Sequence, residues 1–247
     1  MDREIVLKYF SKSPKFAVWL EAIAVGILLL IKMDVLNANF LLAVLIAAGI
    51  GIWQQIKFKQ NQISDGEFDD FVAEDIKRLS VKALQKIGTD KAELVSEEVL
   101  ITGPKLWETG GAEIHYKKGD DNYLRFTPIA VTFVNFTQNQ LLTYTCVYDV
   151  VTGRALNEST DEYFYKDVVS VSTKTESRTI ISTDSSIGRI QLNSAESFAL
   201  TTSGGTSISV ILSDPALIER MGGGEIEKSR AEKAIQSIRK VLREKKA

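Results

Sequence analysis

The chain is poor in the residue types that staple a fold or hold a metal. Its 247 residues include one cysteine, Cys146, and one histidine, His115. One thiol excludes a disulfide within the chain, and one imidazole with one thiol excludes a zinc cage of three or four Cys/His ligands. Neither charge sign is in excess: 30 Lys and Arg stand against 32 Asp and Glu, a net charge of −2. That balance argues against a basic field over the whole molecule, so no nucleic-acid partner is expected. Catalytic signatures are missing too, with no GxSxG, GxxxxGK(S/T) or HExxH and no GxGxxG following a strand. Any Ser-His-Asp or Cys-His arrangement would have to use His115. Alternation through 112–118 places it with Glu113 and Lys117, on the outward side of a strand. Cys146 alternates with Tyr144 and Tyr148 and is expected to pack within a strand. Asp69-Asp70 and Asp120-Asp121 fall on a helix face and in a turn, where water suffices as a partner. No catalytic residue, cofactor or metal is therefore expected, and the chain does not read as an enzyme.

Long apolar runs are confined to the first sixty residues. Residues 16–31 read FAVWLEAIAVGILLLI with Glu21 as the sole charge, and 40–53 read FLLAVLIAAGIGIW with none. Extended by their apolar flanks to 16–33 and 36–56, each approaches the roughly 20 residues that cross a bilayer as a helix. The expectation is a transmembrane helical hairpin, and hence the lipid bilayer as an integral partner. Arg3, Lys8, Lys12 and Lys15 precede the first run, and Lys57 and Lys59 follow the second. Only Lys32, beside Asp34, lies between them. The positive-inside rule then predicts a multi-pass inner-membrane protein with both termini cytoplasmic. Ala22/Gly26, Ala43/Ala47 and Ala47/Gly51 have the spacing that lets two helices pack closely. Glu21 has two readings: a carboxylate about two turns from the helix start that reaches interfacial water, or a membrane-functional group for self-association or conduction.

Beyond residue 57 the periodicity changes twice. Phe68, Phe71, Val72, Ile76, Leu79, Ala83, Leu84 and Ile87 recur three and four apart, Ser64 and Glu67 have capping-box spacing, and Gly88 follows. This predicts an amphipathic helix over 64–87. From about 97 to 212 the period is two. The runs 129–137, 141–151, 162–173, 178–183, 196–202 and 206–212 are rich in β-branched and aromatic residues and separated by turn residues. Such short connections join antiparallel neighbours, so a meander of about seven strands, curled into a barrel or sandwich, is expected. Gly222-Gly223-Gly224 reads as a hinge. A closing helix follows, with Ile226, Ala231, Ala234, Ile235, Ile238, Val241 and Leu242 as its apolar stripe.

Seven antiparallel strands followed by one amphipathic helix is an order similar to the pleckstrin-homology (PH) superfold. Residues 163–173 (YFYKDVVSVST) and 231–246 (AEKAIQSIRKVLREKK) resemble the corresponding pieces of bacterial PH-like domain membrane proteins. The resemblance implies a mainly-β domain of the α+β kind, a PH-like antiparallel barrel with a C-terminal helix, carried by the hairpin as an adaptor or sensor at the inner membrane. It does not extend to a phosphoinositide site. Lys105, Lys117, Lys118 and Arg125 are diluted by Glu108, Glu113, Asp120 and Asp121.

The domain plan that follows is a cytoplasmic segment 1–15, the hairpin 16–56, an amphipathic helical linker 57–95 and the PH-like domain 96–247. The expected function is that of a membrane-anchored cytoplasmic binding or adaptor module. It would recognise a protein partner or the anionic membrane surface, either at an exposed strand edge or along the closing helix. On that helix and just before it Lys228, Arg230, Lys233, Arg239, Lys240, Arg243, Lys245 and Lys246 outnumber Glu225, Glu227, Glu232 and Glu244. The alternative is a ligand-gated, membrane-perturbing effector with a β-barrel sensor, its hairpins clustering as a homo-oligomer.

Overall fold

In a computed structural model of the chain, the described residues are 3–11, 19, 22–23, 25–27, 29–30, 41–181, 189–205, 207–213, 218–219, 221–225 and 229–246. They divide into two units, 1–68 and 69–247.

The first unit contains helix α1 (Arg3–Phe10), helix α2 (Leu41–Gln60) and the first turn of helix α3 (Asp65–Ile87). Val6, Tyr9 and Phe10 form the buried side of α1. The Tyr9 ring stacks on Phe68 at 4.3 Å while its hydroxyl donates to Asp65 at 2.7 Å. Phe10 meets the same Phe68 edge-on at 5.3 Å. Gln62 donates to the carbonyls of Lys8 and Ser11, so α1 is pinned to the start of α3 by both rings and amides.

The expected membrane hairpin is corrected here: among the described residues no helix is long and apolar enough to cross a membrane. Although α2 is 20 residues long, its last two turns carry Gln54, Gln55, Lys57, Lys59 and Gln60. The uninterrupted apolar part, 41–53, spans about 20 Å at 1.5 Å per residue, short of the roughly 30 Å of hydrocarbon. The transmembrane hairpin, the bilayer as integral partner and the multi-pass inner-membrane placement with cytoplasmic termini are all withdrawn on this ground.

Helix α3 forms as its spacing predicts. Ser64 and Glu67 make the capping box: Ser64 N–H donates to Glu67 Oε2 at 2.8 Å, and Glu67 N–H to Ser64 Oγ at 3.2 Å. The Ser64 N–H, and the Ser64 hydroxyl that donates to the same Oε2 at 2.8 Å, hold the Glu67 carboxyl below the usual carboxylate range. At the other end Gly88, with φ +78°, turns the chain so that Gly88 and Thr89 N–H groups both reach Leu84 O. Phe71, Leu79, Ala83 and Leu84 are buried along one stripe. Asp75 shares that stripe at 1% exposure, and its carboxylate is bonded by Arg78 at 2.6 Å.

The second unit is β-rich. Strands β1 (Val99–Pro104), β4 (Ile129–Phe136), β5 (Gln140–Asp149) and β6 (Arg154–Phe164) form a four-stranded antiparallel sheet in the order β1-β4-β5-β6. Between β1 and β4 the chain makes a separate hairpin, β2 (His115–Lys118) and β3 (Leu124–Thr127). A three-stranded sheet, β7-β8-β9, follows with β7 (Val168–Ile181), β8 (Arg189–Thr202) and β9 (Ser207–Ser213). Helix α4 (Ser229–Lys246) closes the chain. It buries Ile235, Ile238 and Leu242 against Ile101, Phe136, Tyr163 and Leu200, joining residues of both sheets in one core.

The strands do not close into a barrel, which corrects the second part of the expected fold. The run 162–173, read as one strand, is broken by a 3-10 turn at Tyr165–Asp167, which ends β6 and starts β7 in the other sheet. No ladder joins β6 to β7 or β1 to β9. The glycine triplet is also more than a hinge. Gly224, at φ +124°, lies where a Cβ would sit 2.8 Å from Asn122 O. Leu124 N–H donates to Glu225 O at 2.7 Å, and Glu225 N–H to Asn122 O at 2.9 Å, so this segment is tied to the β2–β3 hairpin.

Candidate functional site

Strand β6 is held from one face and open along one edge. On the β5 side, Tyr144 is fully buried and its hydroxyl donates to Glu158 Oε2 at 2.5 Å. The same carboxylate receives Lys82 at 2.8 Å and Lys86 at 3.3 Å, both from the last turns of α3. Burial works against the Glu158 charge, but Lys82, Tyr144 and Lys86 outweigh it and hold the carboxyl down at about 2. Burial and the Glu158 contact push the Tyr144 phenol well above its ordinary range. Burial likewise pushes the neighbouring Cys146 thiol up to about 11. A thiol so raised is a poor nucleophile at neutral pH. The cluster therefore locks α3 onto the sheet and presents no activated group.

The lateral edge of β6 is different. At its first residues the loop before β2 abuts it: Asn157 Nδ2 donates to Glu108 O, and a Cβ on Gly110 would meet Leu156 and Asn157 side-chain atoms at 3.1 to 3.3 Å. From residue 158 to residue 164 no strand of the described chain pairs on that side. Ser159, Thr160, Glu162 and Phe164 are exposed there, with Asp161 half-buried. Glu162 accepts from the neutral amide of Gln140 at 3.1 Å. With Asp161 beside it the open stretch is acidic, and the turn that follows carries both Lys166 and Asp167.

The sequence-predicted residues are distributed unevenly. Glu21 and Lys228 lie outside the described residues, as do the side chains of Arg230, Lys233 and Lys246. On α4, Arg239, Lys240 and Arg243 lie along one flank of the buried stripe, with Lys240 and Arg243 exposed; Arg243 Nε donates to Arg239 O at 3.1 Å. Lys245 is on the opposite flank and donates to Gln138 Oε1 at 3.0 Å. His115 sits in β2, 3.5 Å from Glu113 Oε2. Among the described residues no group of three or more His, Cys, Asp or Glu side chains is placed to hold a metal ion.

Two side-chain clusters were missed in sequence. One is the Tyr144–Glu158–Lys82–Lys86 lock, foreshadowed only by Tyr144 and Cys146 sharing strand parity. The other surrounds Glu98, whose Oε2 is buried without a hydrogen-bond partner, as are both polar atoms of the fully buried Asn135 side chain. Burial raises the Glu98 carboxyl pKa, and Ser80, Asn135 and Lys91 nearby offset that only in part.

No protein-family model, curated protein or solved structure matches the chain.

Proposed function

We propose that the β-rich unit is a protein-binding module, which takes an extended basic segment of a partner as an added strand on β6. The observation that carries this reading is the acidic outer edge of β6 at 158–162, on which no strand of the described residues pairs. A row of unpartnered backbone donors and acceptors is a template for one more strand, and strand addition supplies affinity through main-chain bonds. Charge decides which strand is admitted. Like charges placed opposite each other across a ladder oppose pairing, whereas opposite charges favour it by roughly 0.2–1 kcal/mol per pair. Asp161 and Glu162 therefore disfavour a second copy of β6 and favour a segment bearing Lys or Arg at alternate positions.

The test is titration of the full chain with an alternating Lys/Val peptide, its Glu/Val counterpart and a proline-interrupted Lys/Val peptide, read by amide exchange across 158–164. Binding of the basic peptide alone, with protection of β6 and reversal of preference in Asp161→Lys/Glu162→Lys, is the expected result. Protection confined to α4, or salt-sensitive capture by anionic vesicles through Lys240 and Arg243 with no peptide binding, would overturn it in favour of a surface-docking module.

A further inference from the structure

Charge is unevenly distributed along the open edge of β6. Tyr144 stands opposite Thr160, and Leu142 opposite Glu162, in the ladder with β5. Because Tyr144 also bonds Glu158, alternation puts Glu158, Thr160 and Glu162 on one face of β6, the face toward α3. At one end of this row the ammonium groups of Lys82 and Lys86 share the single Glu158 carboxylate, at 2.8 and 3.3 Å. Both lysines are nearly half exposed, at 42% and 46%, and an ammonium has three N–H donors, more than this contact occupies. At the other end Glu162 accepts from the Gln140 amide, while Lys166, in the turn beyond, lies 5.7 Å over the Phe164 ring. Four residues of strand separate Glu158 from Glu162 by roughly 13 Å, more than the screening length of about 8 Å at physiological salt. A partner therefore meets the two ends as separate charges.

We infer that Lys82 and Lys86 set the specificity of this edge, so that the added strand carries a base opposite Glu162 and an acid, Asp or Glu, opposite Glu158. The inference rests on the β6 reading and adds to it the charge pattern and direction of the segment admitted. At the Glu158 end two ammonium groups face one carboxylate, so an incoming base meets like charge, whereas an incoming carboxylate gives each ammonium a second acceptor. The register is limited on the same side. Asn157 Nδ2 donates to Glu108 O, and Gly110 packs close to Leu156 and Asn157, so a strand cannot slide past residue 158. Direction follows from the ladders. Those of the described residues are all antiparallel, the slightly more stable pairing per residue. The base therefore precedes the acid by four positions when the partner is read from its amino end.

The experiment titrates the full chain with three end-blocked peptides: Lys-Val-Lys-Val-Lys, the same peptide with its last lysine replaced by glutamate, and the same with its first lysine replaced instead. The glutamate-last peptide should bind about fivefold more tightly than the all-lysine peptide, and the glutamate-first peptide most weakly. Lys82→Gln/Lys86→Gln should invert the first preference, because Glu158 then faces the partner alone. Amide exchange of α3 in that variant shows whether the helix stays docked, and the comparison of peptides on the wild-type chain holds without it. A wild-type chain that binds the all-lysine peptide as tightly as the glutamate-last one, or that does not distinguish the two orders, overturns the inference and leaves the β6 reading in place. An unchanged preference in the variant with α3 still protected overturns it as well. Binding of none of the three peptides rejects the β6 reading and this inference together.

Discussion

Helices α2 and α3 are of similar length, 20 and 23 residues, and meet water in opposite ways. In α3 the apolar residues are gathered on one stripe, and Phe71, Leu79, Ala83 and Leu84 are buried there while charges occupy the rest of the surface. In α2 apolar residues run around the whole circumference as far as Trp53, and Ile46, Ile50 and Trp53 remain exposed. An amphipathic pattern states which side of a helix is covered. An all-round apolar pattern states only that covering is needed and leaves the partner unspecified. Most helix stability comes from such covering and little from intrinsic propensity, so the two helices should respond differently to the same kind of truncation.

The largest expected effect sets them against each other. Phe71→Ala should cost about 3–5 kcal/mol of unfolding free energy, the lost transfer and cavity terms together. Ile50→Ala, measured by urea unfolding at a concentration where the chain is monomeric, should cost under about 1 kcal/mol, because half of its surface already faces water. Equal costs would break the comparison.

The same contrast explains how much of the fold was legible in the sequence. The stripe from Phe68 to Ile87 and the Ser64–Glu67 box place α3 within a residue of its observed limits, because helix period and cap chemistry are both local. β4 and β5 were legible because their core positions alternate or run continuously apolar. β6 was not. It is an edge whose residues ALNESTDE are exposed or half-buried on both faces, so neither period appears, and the acidic edge went unnoticed with it. The break at Tyr165–Asp167 was equally hidden, since a 3-10 turn needs no glycine or proline, and the strands on either side read as one. The apolar content of 16–56 was plain, but its length alone suggested a bilayer. The observed α2 shows that the polar Gln54–Gln55 step cuts that run short. The Glu98–Asn135 cluster joins residues from different elements and leaves no one-dimensional trace.

That cluster sharpens the comparison further, because Ser80 of α3 borders it, so α3 helps to bury a carboxyl where α2 buries none. The folded-state pKa of Glu98 is raised above its unfolded value. The folded chain therefore holds a proton that the unfolded chain has released, and the Glu98 contribution is fully present below the unfolded value and lost as pH rises through the folded one. Glu98→Gln should leave stability near pH 4 almost unchanged and raise the urea midpoint at pH 8. An equal shift at both pH values would mean that packing, and not protonation, sets the effect.

The smallest expected effect concerns the start of α3, where the two regions differ again: α3 opens with a capping box, whereas α2 has no acidic residue in its first turn. Ser64→Ala removes one acceptor for an orphan N–H and the reciprocal partner of Glu67, at a cost of about 1 kcal/mol. Because that cost is local, it should appear in amide exchange of the first turn of α3 before it appears in global unfolding, as roughly fivefold faster exchange. Tyr9 bonds Asp65 and stacks on Phe68 within that same turn, so the amides of α1 should accelerate with it. Ser64→Thr, which keeps the hydroxyl, should restore both. Acceleration confined to α3 would show that the aromatic stack holds α1 without the cap, and would make burial, not capping, the feature that distinguishes the two helices.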